Sequence, residues 1–562
     1  MPVFATTGRD HATQLSTSQR LGLVKRLLEH RGETEIKGSV GGQNTIADAS
    51  VSMAWSGTIR CEPSKLLVDF NQKGIDFLND LDGEFAIVIS TNDALYVARD
   101  PAGARTAYYG QHNGNWYVAA EPKGIWGLPG FSRRIRRGAI AQYLTYSYIP
   151  GSDTMLEGIQ EVLPGHWIHL QDGCDPKVIR YFQYPEYRSN ENETSDFRYW
   201  SDKFQTLLSK EVALLLSPLS SPTLFLSGGL DSSIVAAELA KQSSSPVRTF
   251  SVHFGDQYPN ELSYAHEVVD RLETDHEDVE ISANLAVRNL RELVWRLDEP
   301  IGDPVTMPNY ELAKIVASRG VTEVFNGEGG DPLFGGPKNM SMLLGHWYGS
   351  NDTAPLYRER RYLASYRRAY SELHRVLSPD LLADFDEESQ LCAPLTPYFQ
   401  QDGPLLHKLL AINTQLKGAH LILPKVERML AASNVQPLSP LFTKSMIDLA
   451  FSSPPKAKLF RGVEKWLMKE AFRGHIPDSI IQRPKSGMRV PVHYWFKGNL
   501  KRYAKGILKK RTLREAGLFN PDRVQQWLRY DTEQTSGRYG LRIWMLLTFE
   551  IWRRIVIEGE SP

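Results

Sequence analysis

Cysteine is scarce: Cys61, Cys174 and Cys392 are the only three in 562 residues, odd in number, far apart and never in Cys-x-x-Cys spacing. That leaves no basis for a disulfide framework or a cysteine-built zinc site, and it makes the cytoplasm the expected compartment. Net charge is lacking too, with 65 Lys and Arg against 65 Asp and Glu, so no global field draws the chain to nucleic acid or to an anionic membrane. No apolar run has the length needed to cross a bilayer, and residues 1–10 lack the apolar core of a signal peptide. A soluble protein that binds neither nucleic acid nor membrane is expected. Repeats and low-complexity tracts are absent as well. What remains is an ordinary globular composition, 41% hydrophobic and 23% charged, in a chain too long for one core.

The chain is organised around Leu226-Ser227-Gly228-Gly229-Leu230-Asp231-Ser232-Ser233. Residues 223–226 predict a short buried strand, and residues 232–240 predict a helix with apolar positions at three- and four-residue spacing. A strand that passes through two glycines into a helix start makes a phosphate loop. Gly228 and Gly229 let backbone N–H groups approach an anion, Ser227 and Ser232 add hydroxyls, and the helix start supplies unpaired N–H groups with partial positive charge. Asp231 is out of place beside a polyphosphate unless a divalent cation lies between them, Mg²⁺ being the usual choice. The loop is neither a Walker A motif nor a GxGxxG turn.

Further along, residues 247–254 read as a strand and 262–272 as a helix, and this alternation predicts a doubly wound parallel sheet with ligands at the carboxyl ends of its strands. His253, near that end, reads as structural or solvent-facing. A second strand runs into Asn326-Gly327-Glu328-Gly329-Gly330-Asp331, where glycines again bring backbone close to a ligand and Asp331 is suited to complete the cation site begun by Asp231. Asp298, Glu299 and Asp303 read equally as a metal site or as a capped turn before a helix. Residues 350–376 interleave arginines with Tyr362, Tyr366 and Tyr370, either as packed tyrosines with solvated arginines or as a surface for an anionic acceptor, a peptide or stacked nucleic-acid bases. Upstream, residues 85–90, 94–99 and 115–120 are β-rich runs separated by turn residues, which predicts antiparallel strands. The polar stretch 190–195 divides the chain into domains 1–190 and 191–562.

These segments resemble the asparagine synthetase family over nearly the whole chain. Residues 226–233 are similar to the pyrophosphate loop of ATP pyrophosphatases, 327–336 to the family's G-E-G-x-D-E-x-F-G-G segment, and Arg483-Pro484-Lys485-Ser486-Gly487-Met488 to its R-x-K-x-G-F segment. In the first half, Leu81-Asp82-Gly83-Glu84-Phe85-Ala86, Ala98-Arg99-Asp100, Glu121-Pro122-Lys123 and Tyr148-Ile149-Pro150 resemble segments of its glutamine-hydrolysing domain. The resemblance implies an α/β protein: an antiparallel, β-rich αββα domain of the N-terminal-nucleophile type, then a doubly wound ATP-pyrophosphatase domain with helical additions. It implies an ATP-dependent ligase that adenylates a carboxylate, releases pyrophosphate and passes the acyl group to ammonia or an amine. Leu226, Ser227, Gly228, Gly229, Leu230, Asp231, Ser232, Ser233 and Gly327 would hold ATP, with the backbone at Val252 holding adenine and Mg²⁺ held by Asp231 and Asp331. Glu328 matches the family's proposed base, a fitting role for a carboxylate beside an acyl-adenylate under attack by an amine. Lys485 is assigned to the departing pyrophosphate, where a fixed ammonium offsets developing charge.

Departures from the pattern carry their own expectations. The family's nucleophile is an N-terminal cysteine, but here Pro2 follows Met1. Ser56-Gly57-Thr58 stands in place of N-G-E, no S-D-x-E segment lies between Cys61 and Leu81, and Glu33 replaces the proline of H-R-G-P-D. Glutaminase activity is therefore not expected. Pro332, Pro337, Gln436, Leu438 and Thr443 replace residues usual on the substrate side, so an acid other than aspartate is expected. Expected partners are a small-molecule or peptide carboxylate, ammonia or an amine, and a second copy of the chain in a homodimer. A precursor peptide joins them under the alternative of intramolecular amide formation, as in β-lactam synthetases or lasso-peptide cyclases. A catalytically silent scaffold is the reading from another class, opposed by the retention of Asp231, Glu328, Asp331 and Lys485.

Overall fold

The computed structural model describes residues 3–7, 16–37, 40–42, 44–187, 197–217, 221–348, 354–366, 368–483, 487–529 and 539–562. Pro2, the polar stretch 190–195 and Lys485 lie outside the described residues.

The first domain is two stacked six-stranded antiparallel sheets. One runs, in spatial order, Ile159–Glu161, Tyr108–His112, Asn115–Ala119, Val3–Thr6, Val40–Gly42 and Glu35–Lys37. The other runs Lys177–Arg180, His166–Leu170, Leu95–Arg99, Gly83–Ser90, Ser52–Ile59 and Asn44–Ala47. Alternation explains the stacking: Val3 and Ala5 from one sheet meet Val88 and Val97 from the other in a shared core, while Phe85, Ile87 and Ile89 point the opposite way under the helix Pro63–Lys73. The helix Thr17–Leu27 covers the outer face of the first sheet with Leu21 and Val24 and is held at its start by a Ser16/Gln19 capping box. Asn113 and Gly114 turn the hairpin between Tyr108–His112 and Asn115–Ala119 with positive φ at both positions, 50° and 80°.

Elements of the second domain are numbered from its own start. Helix α1 (Phe197–Leu216) leads to β1 (Thr223–Phe225), α2 (Leu230–Gln242), β2 (Arg248–His253), α3 (Leu262–Leu272), β3 (Asp275–Glu280), α4 (Ala283–Leu297), α5 (Thr306–Ser318), β4 (Glu323–Phe325), α6 (Gly330–Phe334) and, after a helical insertion, β5 (Gln436–Leu438). All five strands pair in parallel, in the order β3-β2-β1-β4-β5. The direction of winding therefore reverses beside β1, the place where an open α/β sheet leaves a crevice beyond its strand ends. Leu224, Phe250, Val324 and Phe325 are buried in the sheet centre, and Trp544, Leu547, Ile551 and Trp552 of the closing helix Tyr539–Val556 are buried on one side.

The two domains meet across buried charge. Arg31 pairs with Glu121 at 3.0 Å and also with Glu427 of the second domain, and Arg99 donates to Glu161 at 2.6 Å and to the Ala419 carbonyl at 2.9 Å. His420 sits 2.9 Å from Glu161, and Arg428 reaches both the Leu297 carbonyl and the Tyr108 hydroxyl. So Arg31, Arg99 and Glu121, each from a segment resembling the glutaminase domain, serve the interface.

Candidate functional site

The β1–α2 loop has the shape its glycines dictate. Gly228 has φ of +68°, and a Cβ there would lie 2.6 Å from the Ala265 nitrogen, so no larger residue fits. Ser232 Oγ accepts from the Ser227 N–H at 3.1 Å, Ser233 Oγ donates to the Gly229 carbonyl at 2.8 Å, and Ser251 Oγ from β2 donates to the Leu226 carbonyl at 2.5 Å. Serine hydroxyls thus hold the loop open at the first turn of α2, where unpaired N–H groups gather.

The second glycine-rich segment lies directly on this loop. A Cβ at Gly327 would be 2.6 Å from the Ser232 nitrogen, and one at Gly330 would be 2.2 Å from Asp231 Oδ1. Asn326 Oδ1 receives the Glu328 N–H at 2.9 Å and the Ser439 hydroxyl at 3.1 Å, fixing the backbone that carries Glu328. The glycine pattern around Glu328 therefore serves contact between two loops as well as access to a ligand.

Lys465, which the sequence reading missed, is central to the site. Its ammonium lies 2.7 and 2.6 Å from the two oxygens of Asp231 and 2.5 Å from Asp331 Oδ1, with the side chain almost wholly buried. Its backbone is left-handed, φ 56°, just before the helix Trp466–Ala471. Asp231 and Asp331 thus face one point occupied by a cation. Two hard carboxylates around such a point fit Mg²⁺, which takes one or two carboxylates and completes its shell with phosphate oxygens and water.

A cavity of about 330 Å³ opens beside the loop, lined by Leu226, Ser227, Phe250, Val252, Tyr264 and Met488 among others. Arg483 roofs it, 3.9 Å above the Tyr264 ring, donating to the Gly228 carbonyl at 3.2 Å and paired with Glu261. Apolar walls that end on a phosphate loop suit a flat heterocycle attached to an anion. Gly487, Met488 and Arg489 also line this cavity, so with Arg483 the described residues at both ends of the 483–488 segment border it.

Three cations, Lys417, Lys425 and Arg368, are gathered in the electrostatic neighbourhood of Asp303, Glu328 and Asp331. Lys425 pairs with Asp303 at 3.0 Å; burial works against its charge, but Asp303 and Glu328 outweigh burial and raise its pKa. Lys417 and Arg368 are also held in this electrostatic neighbourhood, and burial lowers the pKa of both. Among the described residues neither side chain has a hydrogen bond or an ion pair, and Arg368 Nη1 is fully buried. Lys417 sits on a π-helical stretch, Asn413–Ile422, packed on α6 through Thr414 and the Pro332 carbonyl, and wide turns of this kind gather at functional sites.

The carboxylate-rich segment at 298–303 divides its labour. Asp298 accepts from the Lys123 N–H at 2.6 Å and from Trp126 Nε1 at 3.1 Å, and Glu299 accepts from the Met155 N–H at 2.9 Å, so both clamp the first domain. Burial pushes Asp298 up to about 6 and Glu299 up to about 8. Asp303 alone faces the cation cluster. Tyr362 and Tyr366 are buried, so the tyrosines of the Arg/Tyr stretch pack in the core.

A profile of asparagine synthase matches residues 203–554, which hold the phosphate loop, the Glu328 segment and Lys465, and a profile of a glutamine amidotransferase domain matches residues 56–182. This chain belongs to the asparagine synthase family. As an asparagine synthase family protein it is an ATP-dependent carbon–nitrogen ligase. It is 27% identical to glutamine-hydrolyzing asparagine synthetase 1 of Bacillus subtilis (strain 168), over 96% of this chain and 85% of that protein. It is 23% identical to an amidase, chyE, of Penicillium rubens, over 84% of this chain and 78% of that protein. Within this family framework, Asp231, Ser232, Gly327 and Asp331 converge on one point, Val252 lines the adjoining cavity, and Glu328 interacts electrostatically with Lys425.

Proposed function

We propose that the protein adenylates a carboxylic acid with ATP, releases pyrophosphate, and forms an amide by attack of ammonia or an amine on the acyl-adenylate. The observation that carries this reading is the junction at Asp231, Asp331 and Lys465, with the apolar cavity beside the Ser227 loop and the Lys417, Lys425 and Arg368 cluster coupled to Asp331. A nucleotide base in the cavity would direct its phosphates to the Ser227 to Ser233 loop, and an acyl carboxylate would be drawn to the cations. Mg²⁺ held by Asp231 and Asp331 would neutralise phosphate charge. Lys465, Lys485 and the α2 N–H groups stabilise the departing pyrophosphate. Glu328 takes the proton of the attacking nitrogen.

Ammonia or an amine, rather than glutamine, is the nitrogen source in this reading. Pro2 after Met1 and Ser56-Gly57-Thr58 in place of the family's N-G-E segment support the choice. The missing charges at Gln436, Leu438 and Thr443 support an acid other than aspartate: Gln436 reaches Thr58 of the first domain at 3.3 Å, and Thr443 caps the helix Lys444–Ser452.

The test is exchange of labelled pyrophosphate into ATP across a panel of small carboxylates and precursor peptides, followed by two variants on the active acid. Lys485→Ala should lose exchange by a hundredfold or more, the loss typical of one preorganised electrostatic contact. Glu328→Gln should keep exchange while amide product falls on the order of a hundredfold. Loss of exchange in Glu328→Gln as deep as in Lys485→Ala would move Glu328 from base to ATP ligand and refute the assignment.

A further inference from the structure

Away from the ligase site, α3 and β3 bring two histidines onto one carboxylate. His276 and Asp278 are two residues apart on edge strand β3, so their side chains share a face, and His266 meets them from α3. His266 Nε2 lies 2.8 Å from Asp278 Oδ2 and His276 Nε2 lies 3.0 Å from Asp278 Oδ1. The three ligand atoms fall within 4.8 Å of one another, and the imidazole rings stand nearly perpendicular, 84°, so neither blocks the other's nitrogen.

The arrangement continues behind the histidine. His276 Nδ1 is 2.8 Å from the Thr249 hydroxyl of β2, which is itself 2.9 Å from the Thr274 hydroxyl. This relay fixes the ring, and it is indifferent to tautomer. With no ion, Nε2–H donates to Asp278 and Nδ1 accepts from Thr249; with an ion, the Nε2 lone pair turns to the metal, Nδ1–H donates to Thr249, and the Thr249 hydroxyl rotates to donate to the Thr274 oxygen.

We propose that His266, His276 and Asp278 form a binding site for one zinc ion, separate from the ATP and Mg²⁺ site. Two imidazoles and one carboxylate are a borderline donor set that suits Zn²⁺, whereas Mg²⁺ and Ca²⁺ favour oxygen alone. The fourth position faces solvent, since His266 is about half exposed and Asp278 about a third. The ion would rivet α3 to β3, and the start of α3 supplies Leu262, Tyr264 and Ala265 to the wall of the nucleotide cavity. The inference stands apart from the proposed reaction, because it uses none of that site's residues.

The experiment is calorimetric titration of chelator-treated, full-length protein with zinc chloride, with melting curves recorded with and without zinc. One zinc per chain is expected, weakened at least tenfold in His266→Gln and in His276→Gln. Thr249→Val, which touches no ligand atom of the ion, should weaken zinc tenfold to a hundredfold, and Thr249→Ser should restore it. Zinc should raise the melting temperature of the wild type by more than that of either histidine variant, a comparison that holds even if the variants start less stable. Zinc binding of equal strength and stoichiometry in both histidine variants, or no zinc binding by the wild type, would overturn the proposal.

Discussion

Replacing Lys465 with methionine keeps an unbranched side chain one atom shorter and deletes the cation that joins Asp231 to Asp331. The two carboxylates then face each other with no charge between them. Breaking a buried pair costs about 3–5 kcal/mol, chiefly because a buried charge is left alone. Asp331 is 36% exposed and water screens its share, so about 3 kcal/mol is the better figure here. With an unfolding entropy of about 2 cal/mol/K per residue, a cooperative chain of this length would melt about 3 °C lower. Chemical denaturation reads the same loss directly as a lower midpoint with an unchanged slope. Added Mg²⁺ should recover more stability in Lys465→Met than in the wild type, because the ion then meets two carboxylates with no ammonium to displace. Asp231→Asn should be destabilising alone yet relieve the Lys465→Met variant, with a coupling energy of about 1–3 kcal/mol in the double-mutant cycle. A Lys465→Met protein with the wild-type midpoint and the wild-type response to Mg²⁺ would refute the reasoning.

Other consequences are as direct. Gly327→Ala puts a methyl 2.6 Å from the Ser232 backbone nitrogen, so pyrophosphate exchange should collapse while stability falls by about 1–3 kcal/mol, measured by exchange and by urea unfolding. Glu299 is raised to about 8 in the folded protein, so the native state binds a proton there that the unfolded chain has released above its ordinary pKa near 4.5; its contribution is full in acid and is lost as pH rises through about 8. Stability measured from pH 5.5 to 8.5 should therefore fall less steeply in Glu299→Gln than in the wild type. Incubation with glutamine should yield no glutamate above a heat-killed control, and glutamate release at a rate matching amide formation would restore glutamine as the nitrogen source.

Much of this architecture was legible in the sequence because it follows from local rules. The helix expected over 262–272 is observed as Leu262–Leu272, and the strand expected over 247–254 as Arg248–His253, since each carries its period within a dozen residues. The glycine loops at 228 and 327 were legible for the same reason. Lys465 was not: it lies 234 residues from Asp231, in a turn whose left-handed backbone has no signature in a lysine. Lys417 escaped notice because a π-helical stretch rotates side chains off the faces that a 3.6-residue period predicts. Asp298 and Glu299 were ambiguous because their partners, Lys123 and Met155, belong to the other domain and no spacing along the chain announces them. His266, His276 and Asp278 come together only through the packing of α3 on β3.

The interface between the domains constrains how this protein can be dismantled. A single apolar cluster runs without interruption from Phe4, Leu21 and Tyr143 of the first domain to Leu224, Leu297 and Trp544 of the second. Asp298 and Glu427 take their countercharges from Lys123 and Arg31 on the far side of the seam. The first domain is thus a mould in which the ligase half is set. Cut away, it would leave acids inside the remaining half without their bases and an oily face open to water, so residues 197–562 made alone should aggregate rather than work. Whatever chemistry the first domain performs itself, the ligase half needs its body in order to fold.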